Sequence, residues 1–447
     1  MKLPPVSGLL TDLYQLTMLQ GYFEQGMNDT AVFEFFVRKL PAQRQFLMAA
    51  GLEQALEFLE TLRFSDEELQ WLRDCGRFTD AFIDHLARLR FTGDIHAMAE
   101  GRLFFPNEPI LRVTAPLPEA QLVETRLINI LHFQTLIASK AARAVAVAPD
   151  KLLVDFGLRR AHGGEAGLYA ARACYLAGYS GTATVLAEPL YGIPIFGTMA
   201  HSFIMAHTDE QLAFEHFALA QPDNVVLLID TYDTEAAAEK VVILAPRLQQ
   251  RGISIKGVRL DSGDLARHAR NVRRILDRGG LTQTTIFASG NLDEYTLQDL
   301  MDSNTPIDGF GLGTHMDTSN DAPYLDCAYK LQEYAHAPKR KRSEGKATWP
   351  GRKQVYRRYA DNGAMHGDII TTEDDTQHGQ PLLQAVMRNG RRLHAPVPLA
   401  TSRQLAAAEL QRLPAAWRAL QPASGPYPVD IADALRTLAE TVDAQHA

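Results

Sequence analysis

The sequence predicts an α/β fold built on a (β/α) barrel, and three observations carry that reading. From residue 152 to residue 314, short β-branched and apolar runs are mostly separated by helix-length amphipathic segments. Repeated β–loop–α units of this kind imply parallel strands. Polar and Gly-rich clusters recur at the C-terminal ends of these runs, with no comparable pattern at their starts; such clusters form the functional mouth of a barrel. Finally, 447 residues exceed one ordinary core, so at least one further domain is expected. A doubly wound sheet is the competing architecture, but it usually places its ligand at one switch point, not at almost every strand end.

Composition narrows the function classes. Apolar (46%) and charged (22%) fractions are those of a soluble globular protein. A net charge of −8 argues against a general nucleic-acid surface. Cys75, Cys174 and Cys327 are odd in number and far apart, which argues against a disulfide framework or zinc site and fits a reducing, cytoplasmic compartment. Met1-Lys-Leu-Pro-Pro5 leads into no long apolar run, so no signal peptide is expected. No segment approaches the ~20 apolar residues of a membrane span.

Ahead of the repeats, residues 12–25 read as an amphipathic helix with Leu13, Leu16 and Leu19 near one face, Thr11 or Asp12 as cap, and Tyr14 and Met18 one turn apart. Residues 30–38 alternate like a strand around Phe33 and Phe35, and 51–62 are helical. Ser65-Asp-Glu-Glu68 is a capping box for the next helix. Residues 91–113 predict two or three strands, and 118–142 one long, largely buried helix.

In the repeat region, expected strands at 152–154, 182–186, 193–196, 225–229, 253–258, 285–288 and 307–310 each precede a polar stretch. After residue 335 the alternation stops. Lys339-Arg-Lys-Arg342 reads as a solvated loop, 355–359 as a strand returning to the N-terminal layer, 405–420 as a helix broken at Pro414, and 429–442 as a further helix. Gly309-Phe-Gly-Leu-Gly313 does not match the dinucleotide fingerprint.

The strand-end residues suggest chemistry. In Lys256-Gly-Val-Arg-Leu-Asp-Ser-Gly-Asp264, alternation puts Arg259 and Asp261 on one face and Lys256 on the other. The pair either holds a polar substrate or is a structural ion pair with Ser262 as helix cap, and Gly263 lets backbone N–H groups approach an anion. His201, after Gly197-Thr-Met-Ala, is a candidate base, metal ligand or covalent nucleophile; no second His stands at metal-site spacing. Asp230 and Tyr232 alternate at another strand end, where turn capping is the plain alternative. Ser289-Gly290 and Gly311-Leu-Gly313-Thr314 are short loops of the kind that cradle phosphate. Phe156, Arg159 and Arg160 suit a flat anionic ligand, or are a core ring with two surface cations. Together these features suit a phosphorylated substrate plus a small aromatic acid.

Six motifs then carry a resemblance in chain order: Thr11-Asp-Leu-Tyr-Gln-Leu-Thr-Met18, Asp155-Phe-Gly-Leu-Arg-Arg160, Gly197-Thr-Met-Ala-His-Ser202, Asp230-Thr-Tyr-Asp233, Gly257-Val-Arg-Leu-Asp-Ser-Gly-Asp264 and Gly311-Leu-Gly-Thr314. With Pro350-Gly-Arg-Lys-Gln-Val-Tyr356, the sequence resembles nicotinate phosphoribosyltransferase over most of its length. The resemblance implies an irregular, incomplete (β/α) barrel beside an α/β sandwich built from both chain ends. The expected divisions are 1–143 and 336–447 for the sandwich and 144–335 for the barrel. It implies nicotinate and phosphoribosyl pyrophosphate as substrates, Mg²⁺, ATP as co-substrate, and a cytoplasmic homodimer with shared active sites.

By the same resemblance, His201 is the phosphorylated histidine. Phe156 stacks on the pyridine, and the partner subunit's Tyr14 covers its other face. Arg159 and Arg259 hold anions, and Asp230 and Asp261 position the ribose or its metal. Ser289, Gly290, Gly311, Gly313 and Thr314 cradle the 5-phosphate. His162 departs from the Gln expected after the paired Arg, and His315 has no assigned place. Three alternatives stay open: nicotinamide phosphoribosyltransferase, a non-catalytic phosphoribosyl pyrophosphate sensor, and Schiff-base aldol chemistry through Lys256.

Overall fold

A computed structural model describes residues 7–445; the N-terminal Met-Lys-Leu-Pro-Pro stretch lies outside the described residues. The chain divides into two compact units, one formed by residues 1–139 with 322–447, the other by residues 140–321.

The first unit is an α/β sandwich assembled from both ends of the chain. Its main sheet has seven strands, in the order Ala337–Pro338, Cys327–Tyr334, Thr30–Val37, Pro109–Pro116, Asp94–Ala97, Gln384–Arg388, Arg391–Arg392. Late strands therefore pair directly with early ones: Cys327–Tyr334 runs antiparallel to Thr30–Val37, and Gln384–Arg388 to Asp94–Ala97. Thr30–Val37 is buried on both faces, not on alternate residues, because Ala31, Val32, Phe33, Phe35, Phe36 and Val37 leave neither side polar. Its one charge, Glu34, is fully buried and paired with Lys353 Nζ at 2.8 Å. The expected return strand is Lys353–Tyr359, but it joins a second sheet, between Gln380–Pro381 and Met365–Thr372.

Several local expectations are refined. The Ser65 capping box is present in full: Glu68 N–H donates to Ser65 Oγ at 3.2 Å, and Ser65 N–H donates to Glu68 Oε2 at 2.7 Å. The helix Leu13–Glu24 buries Leu16 and Leu19 but leaves Leu13 exposed, and Asp12 caps it without a side-chain bond. The single helix expected over 118–142 is two, Leu117–Leu122 and Glu124–Val147, interrupted at Val123. The helix expected from 429 begins only at Asp433, because Val429–Ile431 pairs parallel to Met365–Thr372.

The second unit holds a curled parallel sheet in the order Gly181–Thr182, Leu152–Asp155, Gly309–Leu312, Thr285–Ser289, Ile255–Leu260, Val225–Leu228. The last strand in sequence pairs with the first, a wrap-around that belongs to a barrel. The ring stays incomplete between Thr182 and Val225. The strands expected at 182–186 and 193–196 account for this gap. Only Gly181–Thr182 is strand; Thr184 N–H then bonds Thr182 Oγ1 at 3.0 Å and turns the chain into the helix Ala187–Tyr191. Residues 193–196 contribute one isolated bridge, Ile195 to Thr182. The doubly wound alternative is set aside.

Candidate active site

The site is built at the C-terminal ends of the parallel strands, where Arg259 is the hub. It lies in Ile255–Leu260 with its guanidinium spread over four partners. Nε donates to Ser289 Oγ at 2.9 Å, Nη2 to Asp261 Oδ1 at 2.9 Å, and Nη1 to Thr198 Oγ1 at 3.0 Å and the Met199 carbonyl at 3.4 Å. Two-residue spacing puts Arg259 and Asp261 on one face, and the neighbouring strand Thr285–Ser289 delivers Ser289 beside them. Ser289 also donates to Asp261 Oδ1 in a short bond.

Asp261 is half-buried. Burial pushes its carboxyl up, but the hydrogen bonds from Ser289 and Arg259, with the charges of Arg259 and His201, outweigh it and hold it below the usual range. It is therefore an anion. The expected Ser262 cap is a difference: Asp264 caps the helix Leu265–Arg278 by accepting from Arg267 N–H, while Ser262 Oγ donates to Asp230 Oδ2 at 2.6 Å. Asp230 Oδ2 also accepts from Asp261 N–H at 3.0 Å, and Asp230 Oδ1 is buried with no hydrogen-bond partner. Gly263 (φ +76°) and Gly290 (φ +97°) occupy left-handed backbone, and a Cβ on Gly290 would stand 2.0 Å from the Asp261 carbonyl. That approach packs the loop after one strand onto the loop after its neighbour.

His201 opens the helix His201–Met205 and meets the same cluster. Its Nδ1 lies 3.1 Å from Thr231 Oγ1, and its Nε2 lies 4.0 Å from Asp261 Oδ2. One ring nitrogen is anchored, the other faces a carboxylate, and the His201 side chain is 39% exposed.

Phe156 is half-buried beneath Arg259, whose guanidinium carbon is 5.5 Å from the ring centroid. Phe287 packs tilted against it at 5.7 Å. Gly311 is buried below: a Cβ there would meet Phe156 Cδ2 at 2.6 Å. Of the residues expected to cradle phosphate, Gly311 thus seats the ring, and Ser289 is buried with its hydroxyl engaged by Arg259 and Asp261. Gly290, Gly313 and Thr314 line the loops themselves, with Thr314 exposed. Arg159 and Arg160 are exposed in the short helix Leu158–Arg160 and make no salt bridge among the described residues. Tyr14 belongs to the other unit, on Leu13–Glu24, 47% exposed. His162 is exposed in the bend after Arg160; His315 is half-buried with Nδ1 unpartnered. Lys256 is exposed and makes none of the contacts around Arg259.

Sequence reasoning missed several supporting residues. Asp155 and Asp317 form a buried acid pair behind the Phe156 turn. Asp155 accepts from Gly157 N–H at 2.8 Å and from Thr182 Oγ1 at 2.6 Å, and Gly157 is needed because a Cβ would fall 2.1 Å from Asp317 Cγ. Burial pushes both carboxyls up, Asp317 well up because the charge of Asp155 adds to it. Thr198 lies in the Gly197–Ser202 motif but had no role assigned, and Phe287 carries no motif signal. Phe287 was accessible only as the inward alternate of its strand.

Comparison with known proteins places the chain in a family. The family model described as nicotinate phosphoribosyltransferase N-terminal domain matches residues 9–132, and that of the nicotinate phosphoribosyltransferase family matches residues 152–356. A Mycobacterium tuberculosis protein named nicotinate phosphoribosyltransferase is 47% identical over 444 residues, covering 99% of this chain and 95% of the relative. One from Bacillus subtilis is 41% identical over 385 residues, covering 84% and 78%. The crystal structure of human nicotinic acid phosphoribosyltransferase superposes with a TM-score of 0.87 at 29% identity, covering 97% of this chain and all of that one. Motifs, barrel mouth and full-length similarity converge: the chain belongs to the nicotinate phosphoribosyltransferase family.

Proposed function

We propose that this enzyme joins nicotinate to phosphoribosyl pyrophosphate, forming nicotinate mononucleotide and pyrophosphate for NAD salvage, and couples the transfer to ATP hydrolysis through His201. The observation that carries the ATP reading is the His201 ring, anchored at Nδ1 by Thr231 with Nε2 turned toward the mouth. With Nδ1 protonated and donating to Thr231, Nε2 holds the lone pair that attacks the γ-phosphorus of ATP as the bond to ADP breaks. Water later cleaves the phosphohistidine to inorganic phosphate.

The transfer itself needs no protein base, because the pyridine nitrogen of nicotinate is the nucleophile and pyrophosphate leaves with the electron pair. Phe156 offers a face for the pyridine, with Arg159 free to meet its carboxylate. Arg259 stands where negative charge grows on the leaving group. Gly290, Gly313 and Thr314 are read as the 5-phosphate cradle, with Ser289 and Gly311 as its support. The donor set fits Mg²⁺: Asp230 keeps a buried oxygen without a partner, and Asp261 is an anion beside it. Mg²⁺ takes one or two carboxylates and completes its shell with water and substrate phosphates; bound, it would neutralise pyrophosphate charge. We read the working unit as a cytoplasmic homodimer in which the partner subunit's Tyr14 closes the ring pocket. Among the described residues no helix is long and apolar enough to cross a membrane.

The test is pyrophosphate release with nicotinate, with and without ATP, in wild-type and His201→Ala enzyme, alongside labelling from γ-labelled ATP. Wild type takes up acid-labile label and is stimulated by ATP; the variant keeps basal transfer and loses both. Label retained by the variant sinks the role of His201. Preference for nicotinamide over nicotinate sinks the choice of substrate.

A further inference from the structure

Behind the two glycine loops lies a dry ionic cluster that the chemistry above leaves unused. Lys140 Nζ donates to Glu294 Oε2 at 2.8 Å and to Asp321 Oδ1 at 2.7 Å, and all three side chains are buried. Arg143, three residues further along Glu124–Val147, lies 3.5 Å from Glu294 Oε1 and 3.8 Å from Asp321 Oδ2, and donates to the Tyr295 hydroxyl at 2.7 Å. Two cations and two carboxylates leave the cluster neutral.

The chain positions of these carboxylates matter. Glu294 is the first residue of the helix Glu294–Asp302, which ends the loop carrying Ser289 and Gly290. Asp321 ends the segment that begins with Gly313 and Thr314, and it is the last residue of the barrel unit, as Lys140 is the first. One ammonium group thus clasps the far ends of both loops and the entry and exit of the unit. Stability alone is a weak reason for such a cluster, since apolar replacements of buried ion pairs are often neutral or stabilising. What paired, desolvated charges supply is one fixed geometry, and loops that bind a phosphate through backbone N–H groups need it.

We propose that Lys140 is a positioning residue for phosphoribosyl pyrophosphate, setting the separation of the Gly290 and Gly313 loops through Glu294 and Asp321. The inference rests on reading those loops as the 5-phosphate site. Lys140→Met leaves one buried negative charge in excess and tests position and charge together. The double variant Lys140→Met/Glu294→Gln restores neutrality and separates them.

The experiment measures Tm and, in the full-length enzyme, kcat and KM for each substrate. Lys140→Met is expected to melt below wild type. In the double variant Tm recovers, yet KM for phosphoribosyl pyrophosphate stays raised about tenfold, with nicotinate KM and kcat changed less than about threefold. If that KM returns to the wild-type value along with Tm, the cluster serves charge balance only and the proposal fails. Equal rises in both KM values also overturn it, as general loosening. Wild-type enzyme without saturable dependence on phosphoribosyl pyrophosphate would remove the parent reading as well, and shows this before any variant is made.

Discussion

Each unit contains an arginine set among carboxylates, and the two clusters are spent differently. In the sandwich unit, Arg357 is fully buried. Its Nε reaches Asp368 Oδ1 at 3.0 Å, its Nη1 Glu409 Oε2 at 2.7 Å, and its Nη2 Asp368 Oδ2 at 2.6 Å and the Leu103 carbonyl at 2.8 Å. Arg102 supplies a second cation to Glu409 at 2.7 Å, and Tyr427 donates to Asp368 at 3.1 Å while stacking on Phe105. Nearby, the Glu108 carboxyl is pushed well up, first by burial and then by Asp368. In the barrel unit, Arg259 is also bonded through all three guanidinium nitrogens, but its side chain is 14% exposed, Asp261 is 26% exposed, and Asp230 keeps an unpartnered oxygen. The first cluster is buried, with Glu108 Oε1 left without a partner, and fixes a junction between sheets. The second leaves valence over for a ligand. Exposure, not the presence of the ion pair, distinguishes the arginine that we read as functional from the structural one.

That contrast can be broken directly. Arg357→Met strands Asp368 in a buried site and leaves Glu409 with Arg102 as its cation, and is expected to cost about 3–5 kcal/mol in urea unfolding. Arg259→Met is expected to cost only about 1 kcal/mol, since its partners reach water, while turnover falls by at least about a hundredfold. Equal stability losses would collapse the distinction.

The acid pair Asp155–Asp317 gives a smaller effect with a defined sign. Because both folded carboxyls titrate above their usual range, first through burial, their contribution is fullest below about pH 4, where the unfolded acids also hold their protons. It is lost as pH rises through the folded values. Asp317→Asn keeps a neutral donor beside Asp155, so the variant gains on wild type in Tm as pH goes from 4 to 8. A difference that is flat with pH would mean that the pair is not proton-linked to folding. Smallest is Ser65→Ala, which removes an exposed cap far from either cluster and is expected to cost about 1 kcal/mol with unaltered kinetics. It calibrates what an isolated local bond is worth in the sandwich unit.

Much of the mouth was legible because local rules govern it. Period-two alternation put Arg259 and Asp261 on one face, and they bond. The Ser-x-x-Glu signature identified the cap at Ser65, and hydrophobic runs located most barrel strands. Where the sequence misled, pairing across distance decided the outcome. Thr182 spends its hydroxyl on Asp155, so the expected strand ends there. Val429 finds a parallel neighbour in Met365–Thr372, so a helical pattern starts late. The Ser289 hydroxyl bonds Arg259, thirty positions earlier, a partner that no local pattern names.

What the sequence alone determined is the α/β class, the parallel repeats and the residues gathered at strand ends, because periodicity and turn chemistry act over a few neighbouring positions. Only the tertiary structure decided which strand closes on which, where the barrel stays open, and that Lys140 meets Glu294 and Asp321 across separations of 154 and 181 residues. Side-chain hydrogen bonds form wherever folding brings their atoms within about 3 Å, and no local pattern encodes that meeting.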